Sequence, residues 1–387
     1  MKYLLLVGLV TLVACSKNMD KQMSSTQEDE KQTCDFGLKN FNLSKRAPVN
    51  IDNEIPSKRP GTGGTTPPPT SNAAVILLDF NGQTVSGTSW NTNGNINCAP
   101  ANLTAADISN VVQRVTNDYS PFAVTVTTDE NVFNAASITK RMRVIITESW
   151  EWFGSSAGGT AYINSFTAST DNPCFVFSSL LNYDLKYIAD AVSHEVGHTL
   201  GLRHQAIYDA NCVMTSAYNW GQGSGETGWA PIMGSAYYQN LSLWHRGPNN
   251  TGCSNIQDDV AVIAGKVGNK ADDYSNMTTG AASLATSLNG CINNSTDLDF
   301  FSLNLGTTKT VSVIPSNTGI NNAGANLDLI LRVYNSQGNL LGSFENPAVL
   351  NASTILNAGT YYISVGTSAN PYTTTYGMLG TYTVSLN

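Results

Sequence analysis

HEVGHTLGLRH, residues 194–204, contains three of the four histidines in the 387-residue chain. In the longer segment YDLKYIADAVSHEVGHTLGL, residues 183–202, apolar residues recur at four-residue steps and predict a helix with one stripe on the core: Ile188, Val192 and Val196. His194 and His198 have the same spacing but are offset from the stripe by two residues, which is about 200° around a helix. Both imidazoles are therefore expected to point away from the core, toward a cleft.

Two neutral imidazoles one turn apart can bind the same metal ion. Gly201 ends the predicted helix, because glycine adopts the left-handed conformation that reverses the chain, and His204 can then return to the same ion. Three protein ligands leave a fourth position for water, which is typical of a catalytic zinc site. Glu195 lies about 100° around the helix from His194, where its carboxylate is beside the ion and can act as a base.

The same residues resemble the HExxHxxGxxH signature of the metzincin metalloendopeptidases, which include the matrixins and reprolysins. The resemblance implies that His194, His198 and His204 bind Zn²⁺. It also implies that Glu195 is the general base that activates a metal-bound water for peptide hydrolysis. Downstream, WAPIMGSAYY is similar to the Met-turn of this family, so Met233 is expected to lie beneath the ligands as an apolar floor.

Three further residues are candidates for supporting this site. Tyr237 and Tyr238 either approach the zinc or an oxyanion, or are ordinary core and surface tyrosines. NIQDDVAVIAG, residues 255–265, predicts a helix with Asp258 and Asp259 in its first turn, and helix capping alone explains both carboxylates. The segment also resembles the C-terminal helix of the matrixins, which implies that Asp259 braces the Met-turn backbone.

The N-terminus predicts export. Lys2 precedes an apolar run, residues 4–13, that is too short to cross a bilayer as a mature helix. The end of this run resembles the bacterial lipobox, which implies that residues 1–14 are a removed signal peptide and that Cys15 receives lipid. The alternative is an ordinary secretory signal. The expected location is the bacterial cell envelope, as an outer-membrane or cell-surface lipoprotein on a lipid anchor, or the secreted fraction.

Residues 15–72 are polar and rich in Pro, Gly and Thr, which predicts a disordered tether or a pro-segment. Without Cys15, six cysteines remain, and an even set in an exported protein predicts disulfides: Cys34, Cys98, Cys174, Cys212, Cys253 and Cys291. A bond between Cys212 and Cys253 would bracket the loop after the histidines and contribute about 4 kcal/mol. Cys34 either joins a disulfide or, as in some metalloproteases, keeps the zinc inactive.

The rest of the chain predicts two domains. Residues 73–271 alternate helices and strands, which indicates an α+β catalytic domain with a mixed sheet, packed helices and zinc in its cleft. The metzincin resemblance implies that substrate adds to the edge strand GGTAYINSF, residues 158–166. Residues 272–387 contain short strands separated by turns and predict an all-β sandwich. This part resembles the bacterial pre-peptidase C-terminal (PPC) domain.

Two ligands of the C-terminal domain are considered. Related sandwiches bind Ca²⁺, and the candidate ligands are Asp297, Asp299 and Asp328, which are otherwise turn and strand-end carboxylates. Four tyrosines can form an aromatic face for extracellular matrix or polysaccharide, or can simply pack between strands: Tyr361, Tyr362, Tyr372 and Tyr376.

The sequence thus predicts an exported zinc endopeptidase that hydrolyses peptide bonds in proteins. The alternative is a surface-anchored protein that binds matrix or glycan and has a vestigial metal site. Glu195 favours the enzyme, because a site kept only for metal would not need a base. The net charge of −8 argues against a nucleic-acid partner.

Overall fold

The computed structural model describes the backbone of residues 31–34, and residues 73–319 and 323–387 with their side chains. The predicted signal peptide (residues 1–14), the lipidation site Cys15 and the rest of the 15–72 segment lie outside the described residues. None of the described helices is long and apolar enough to cross a membrane.

A six-stranded mixed sheet organises the first half of the chain. The first eight strands are β1 (Lys31–Cys34), β2 (Ala74–Asp79), β3 (Gln83–Val85), β4 (Ile96–Cys98), β5 (Val124–Thr127), β6 (Arg141–Thr147), β7 (Gly159–Tyr162) and β8 (Cys174–Phe177). The large sheet has the order β1-β7-β8-β6-β2-β5, while β3 pairs with β4. Strands β5, β2, β6 and β8 are parallel, and β7 is antiparallel to β8.

Strand β1 occupies the outer edge of β7. The two strands are antiparallel, with Lys31 opposite Tyr162 and Cys34 opposite Gly159. A segment from the predicted tether therefore pairs with the strand that the sequence assigned to substrate.

Four helices accompany the sheet: α1 (Ala105–Asp118), α2 (Glu130–Ala135), α3 (Leu185–Thr199) and α4 (Asp259–Val267). Side chains of β2 point alternately to its two faces. Ile76 and Leu78 enter the main core, whereas Val75 and Leu77 join a smaller cluster with Phe133 of α2. Both faces of β2 are covered, which is the environment that an unbroken apolar run predicts.

Helix α3 is buried on all sides. Every residue from Lys186 to Thr199 is buried, including the predicted stripe. The sequence predicted that the histidine face would be open to a cleft. In the structure this face is covered as well, because the chain around Ile232 and Met233 packs against it.

Short strands fill the segment between α3 and α4: β9 (Ile207–Tyr208), β10 (Met214–Ser216), β11 (Trp229–Pro231), β12 (Leu241–Leu243), β13 (Arg246–Pro248) and β14 (Ile256–Asp258). A disulfide joins Cys212 to Cys253, as the sequence suggested. The expectation of further disulfides is wrong for three other cysteines with described side chains, which are free thiols buried in the interior: Cys98, Cys174 and Cys291.

The C-terminal β region, defined as the described residues from 282 to 387, contains strands, turns and loops without a helix. Its strands are β15 (Ala282–Ser283), β16 (Ser287–Ile292), β17 (Asp299–Leu305), β18 (Lys309–Pro315), β19 (Leu329–Asn335), β20 (Leu340–Phe344), β21 (Ala352–Leu356), β22 (Gly359–Thr367) and β23 (Gly380–Leu386). They form sheets of order β15-β17-β22-β19-β20 and β16-β23-β18-β21. Side chains of both sheets share one core, which also includes Trp229, Leu241 and Leu243 from the segment between α3 and α4.

Candidate metal centre

Helix α3 fixes the first two histidines. Its N-cap is Asp184, whose carboxylate accepts hydrogen bonds from the backbone N–H groups of Lys186 (3.0 Å) and Tyr187 (3.1 Å). His194 and His198 follow on one face, with ring centroids 4.7 Å apart. Because both belong to one regular helix, their relative positions are set by the backbone.

Backbone carbonyl groups orient the two rings. Nδ1 of His194 lies 2.7 Å from the carbonyl oxygen of Ile232, and Nδ1 of His198 lies 2.8 Å from that of Leu202. Since a carbonyl oxygen only accepts, each Nδ1 carries the proton and each Nε2 presents a lone pair. Sequence reasoning missed both carbonyls, because a backbone acceptor has no residue signature.

The chain reversal at Gly201 brings in the third histidine. Gly201 has a φ of 108°, which side-chain-bearing residues rarely adopt, and it follows the end of α3 as the sequence predicted. Nε2 of His204 then lies 3.1 Å from Nε2 of His198. The candidate ligand atoms of the three histidines all lie within 4.8 Å of one another.

Three converging imidazole nitrogens are the donor set of a first-row divalent ion. Two nitrogens bound to one tetrahedral Zn²⁺ at about 2.0–2.1 Å would be about 3.3 Å apart. Burial lowers the pKa of His194 and His204 well below the usual value, with a further contribution from the neighbouring histidines, and lowers the pKa of His198 to about 4. All three are therefore neutral at pH 7, the form that binds metal, and the residues fit zinc.

Glu195 lies next to both the histidines and β7, which was expected to be an edge strand but is covered at its outer edge by β1. Its side chain is fully buried, and a β-carbon added to Gly159 would be 2.7 Å from its Cγ and its Oε1. Only glycine leaves enough space for the carboxylate at this point of β7. Glu195, the expected base, thus packs against β7, the strand that is expected to bind substrate.

Met233 packs closely against α3. It is fully buried, and a β-carbon on Gly197 would lie 2.5 Å from its Sδ. The backbone around it holds two sides of the site, because the carbonyl of Ile232 bonds His194 and the carbonyl of Met233 accepts from the N–H of Gln205 (2.7 Å). The turn therefore connects the first histidine to the residue that follows the third.

Asp259 is linked to this turn through another side chain. Its carboxylate accepts hydrogen bonds from the N–H of His245 (2.9 Å), Nε2 of Gln205 (3.0 Å) and Nε2 of Gln257 (2.9 Å). Burial raises the pKa of Asp259 to about 7, although these three donors act in the opposite direction. Sequence reasoning missed Gln205 and Gln257, whose role depends on loops that meet only in the fold.

Tyr237 and Tyr238 pack on the beginning of α3. The Tyr237 ring is buried with its centroid 4.9 Å from that of Tyr187, and the exposed Tyr238 ring is 5.9 Å from the same residue. Tyr187 precedes His194 by about two helical turns. A residue that sequence reasoning missed lies closer to the histidines: the Tyr218 ring is 4.4 Å from that of His204.

A second group of candidate ligands lies where the chain enters the C-terminal β region. Ligand atoms of Asp272, Asp273 and Asp299 lie within 4.8 Å of one another. Asp299 and Asp297 are buried, and in each the Oδ1 atom has no hydrogen-bond partner. Burial raises the pKa of Asp299 to about 8 and that of Asp297 to about 6, with contributions from the neighbouring aspartates. Three carboxylates therefore converge on one position, and Asp297 is near enough to interact with them electrostatically; these four residues are called the acidic group.

Of the three calcium ligands that the sequence suggested, the fold brings two near each other and leaves the third apart. Asp297 and Asp299 belong to the acidic group, whereas Asp328 accepts hydrogen bonds elsewhere, from Nδ2 of Asn370 (3.1 Å) and, at its carbonyl, from Ser368 (3.0 Å). Sequence reasoning missed Asp272 and Asp273, since they precede the first strand of the β region.

Two of the four candidate aromatic residues contact the segment between α3 and α4. The Tyr376 hydroxyl donates to the carboxylate of Asp258, and the carbonyl of Tyr372 accepts from Nε1 of Trp229 (2.7 Å). The Tyr372 ring also packs on Gly223. Both residues therefore make contacts within the chain, which favours the packing interpretation over an aromatic binding face for these two tyrosines.

Two solved structures are similar to part of the chain. The pre-peptidase C-terminal domain of a collagenase from Bacillus anthracis has 16% identity and a TM-score of 0.21, and the match covers 31% of this chain and 99% of that one. PliG from Aeromonas hydrophila, a periplasmic inhibitor of g-type lysozyme, has 14% identity and a TM-score of 0.19 over 30% of this chain and 100% of that one. No curated protein matches the chain.

Residues 100–205 match the family described as "Metallo-peptidase family M12B Reprolysin-like". The match includes α1, α3, the three clustered histidines and Glu195. It confirms the metzincin resemblance that the sequence motifs indicated. Residues 100–205, which hold the three histidines and Glu195, are therefore similar to the reprolysin-like metallopeptidases.

Proposed function

We propose that this protein is an exported zinc-dependent endopeptidase. The single observation that supports it most strongly is the convergence of three neutral imidazoles beside a buried glutamate that packs against β7. His194, His198 and His204 would hold the ion. When bound, Zn²⁺ supplies Lewis-acid polarisation of a carbonyl and lowers the pKa of water.

The chain's own residues supply the proton transfers and the substrate position. Glu195 takes the proton from the attacking water and delivers it to the leaving amine, so one group acts first as base and then as acid. The substrate takes the place of β1, lies antiparallel to β7 and is held by main-chain hydrogen bonds. Because Gly159 has no side chain, the β7 backbone and the Glu195 carboxylate lie close together, which brings a substrate paired with β7 near the base.

The domain organisation belongs to the same proposal. Residues 1–14 are the signal peptide, 15–72 a tether or pro-segment, 73–271 the catalytic domain and 272–387 an accessory sandwich. Lipid on Cys15 anchors the protein in the cell envelope. Mass spectrometry of the mature N-terminus tests the anchor, and an unmodified peptide that starts at another residue would exclude it.

The acidic group is proposed to bind Ca²⁺. A buried carboxylate oxygen without a donor is costly, and a divalent cation offsets that cost. Asp272, Asp273 and Asp299 would supply carboxylate ligands, with Asp297 beside them, and water molecules would complete the six to eight oxygen ligands that Ca²⁺ takes. The ion would join the segment that leaves α4 to the first strands of the β region.

The test of the enzymatic function is a fluorogenic peptide library, assayed with and without a chelator. We expect turnover that the chelator abolishes and added zinc restores. Glu195→Gln should lower kcat by about 10²–10⁴-fold and leave the zinc content unchanged. Turnover that resists the chelator, or no turnover at all in metal-replete protein, would favour the surface-binding alternative.

A further inference from the structure

Part of the C-terminal β region packs close to α3, the helix that carries His194 and His198. Its segment 323–326 is buried against α1 and the chain before β12. The N–H of Ala325 donates to the carbonyl of Asn240 (2.9 Å), and the N–H of Ser242 donates to the carbonyl of Ala325 (2.9 Å). Backbone hydrogen bonds therefore join this part of the β region directly to the segment between α3 and α4.

The side-chain amide of Asn326, at the end of this segment, both donates and accepts hydrogen bonds. Nδ2 donates to Oδ1 of Asp118 (2.9 Å) and to the carbonyl of Ser242 (2.7 Å), and Oδ1 accepts from Nδ2 of Asn117. Asn117 in turn accepts from the N–H of Thr381 (2.8 Å), in strand β23. The side chains of Asn117, Asp118 and Asn326 are buried, so a partner that one of them loses cannot be replaced freely by water.

Residues at the end of α1 connect Asn326 to α3 by hydrogen bonds. Oδ2 of Asp118 accepts a hydrogen bond from the hydroxyl of Ser193, and the Tyr119 hydroxyl donates to the carbonyl of Ser193 (2.9 Å). Ser193 immediately precedes His194. The residue before the first candidate ligand is thus held at both its side chain and its backbone, and Asn326 holds the carboxylate that bonds the side chain.

We propose that Asn326 is a positioning residue for the histidine helix and acts on His194 through Asp118 and Ser193. The C-terminal β region is then a structural part of the catalytic site. The inference rests on the proposed function. It does not require that the β region bind any ligand.

Removing the amide of Asn326 leaves Asp118 as a buried carboxylate with one donor fewer. Burial raises the pKa of Asp118 to about 7, although the hydrogen bonds from Ser193 and Asn326 act in the opposite direction. A carboxylate that loses this donor changes its hydrogen bonding, and Ser193 moves with it. A shift of about 1 Å in a catalytic group costs up to about 10²-fold in rate.

The experiment is a double-mutant cycle with Asn326→Ala and Ser193→Ala. We expect Asn326→Ala to lower kcat by about tenfold or more, with KM within about twofold of wild type. Its zinc affinity, measured by chelator competition, should fall by about fivefold or more. In the Ser193→Ala background the added effect of Asn326→Ala on both quantities should shrink below about twofold.

A matched control separates positioning from stability. Leu331→Ala truncates a fully buried side chain in the same β region, away from Asn326, and should lower the melting temperature while kcat and zinc affinity stay at the wild-type values. All variants are compared at a temperature where circular dichroism shows them folded. If Leu331→Ala lowers kcat as much as Asn326→Ala does, the effect is general destabilisation and the proposal is wrong.

A second pair of variants covers the case in which Asn326→Ala does not fold. Asn326→Asp places two carboxylates together, whereas the double variant Asp118→Asn with Asn326→Asp restores one donor and acceptor pair. The double variant should recover kcat and zinc affinity about fivefold over Asn326→Asp. No recovery, or losses that multiply in the first cycle, overturns the proposal. Zinc affinity decides the matter even if wild type cleaves no peptide, an outcome that would count against the proposed function alone.

Discussion

Gly159 and Glu195 are in contact across the gap between β7 and α3. A β-carbon at residue 159 would lie 2.7 Å from Oε1 of Glu195 and 2.8 Å from the carbonyl oxygen of Phe175. The strand assigned to substrate and the acid assigned as base are therefore adjacent because residue 159 has no side chain.

Gly159→Ala should lower kcat by about 10²-fold, because the new methyl group displaces the Glu195 carboxylate. Zinc content should stay unchanged, since no histidine contacts Gly159 in this way. The control is Gly306→Ala, where an added β-carbon meets open space. Full activity of Gly159→Ala would contradict the assigned position of the base.

Removal of residues 15–72 should raise kcat/KM. Strand β1 occupies the edge of β7, and a tethered segment has a local concentration of about millimolar, so its removal is expected to raise kcat/KM at least about tenfold. The measurement compares the full mature chain with the truncated one on the same peptide. Equal activity of the two forms would show that β1 does not compete with substrate.

Loss of the disulfide should destabilise the loop after the histidines. Replacing Cys212 and Cys253 by serine opens a loop with a sequence separation of 41 residues, which is worth about 4 kcal/mol in the chain-entropy model. Urea unfolding of the double variant gives the free energy of unfolding directly. A loss below about 1 kcal/mol would indicate that the native geometry already fixes this loop.

Calcium should raise the melting temperature of the chelator-treated protein by about 5 °C or more at saturation, through ligand linkage. Asp299→Asn should remove this shift, whereas Asp328→Asn should retain it, because Asp328 lies outside the acidic group. A shift that survives Asp299→Asn would place the calcium site elsewhere.

Calcium affinity should also depend on pH. Burial and the neighbouring aspartates raise the pKa of Asp299 to about 8, so this group is protonated below that pH and must lose its proton to bind the ion. Affinity should therefore rise with pH between about 6 and 8, by up to about tenfold per unit. Titration calorimetry at three pH values measures it, and a pH-independent affinity would contradict the assignment of Asp299 as a ligand.

The sequence predicted those parts of the site that depend on local chain geometry. The four-residue spacing of His194 and His198 and the reversal at Gly201 are properties of a helix and its end, and the structure brings His204 to them as expected. The strand β2 was equally readable, because an unbroken apolar run belongs to a strand covered on both faces.

Relationships between distant segments could not be predicted in this way. Asp118 and Asn326 are 208 residues apart and meet only in the folded chain. The burial of α3 on all sides depends on the loop around Met233, and the free thiols depend on where each cysteine enters the core. Asp272 has no periodic pattern that would connect it with Asp299.

The central claim is that three histidines bind one zinc ion. Elemental analysis of purified, metal-replete protein, made with the acidic group disabled by Asp299→Asn, tests it most directly. We predict about one zinc per chain, and less than about one tenth when His194 and His198 are both replaced by alanine. Asp299→Asn protein without stoichiometric zinc, or zinc that stays bound when both histidines are also replaced, would contradict the account.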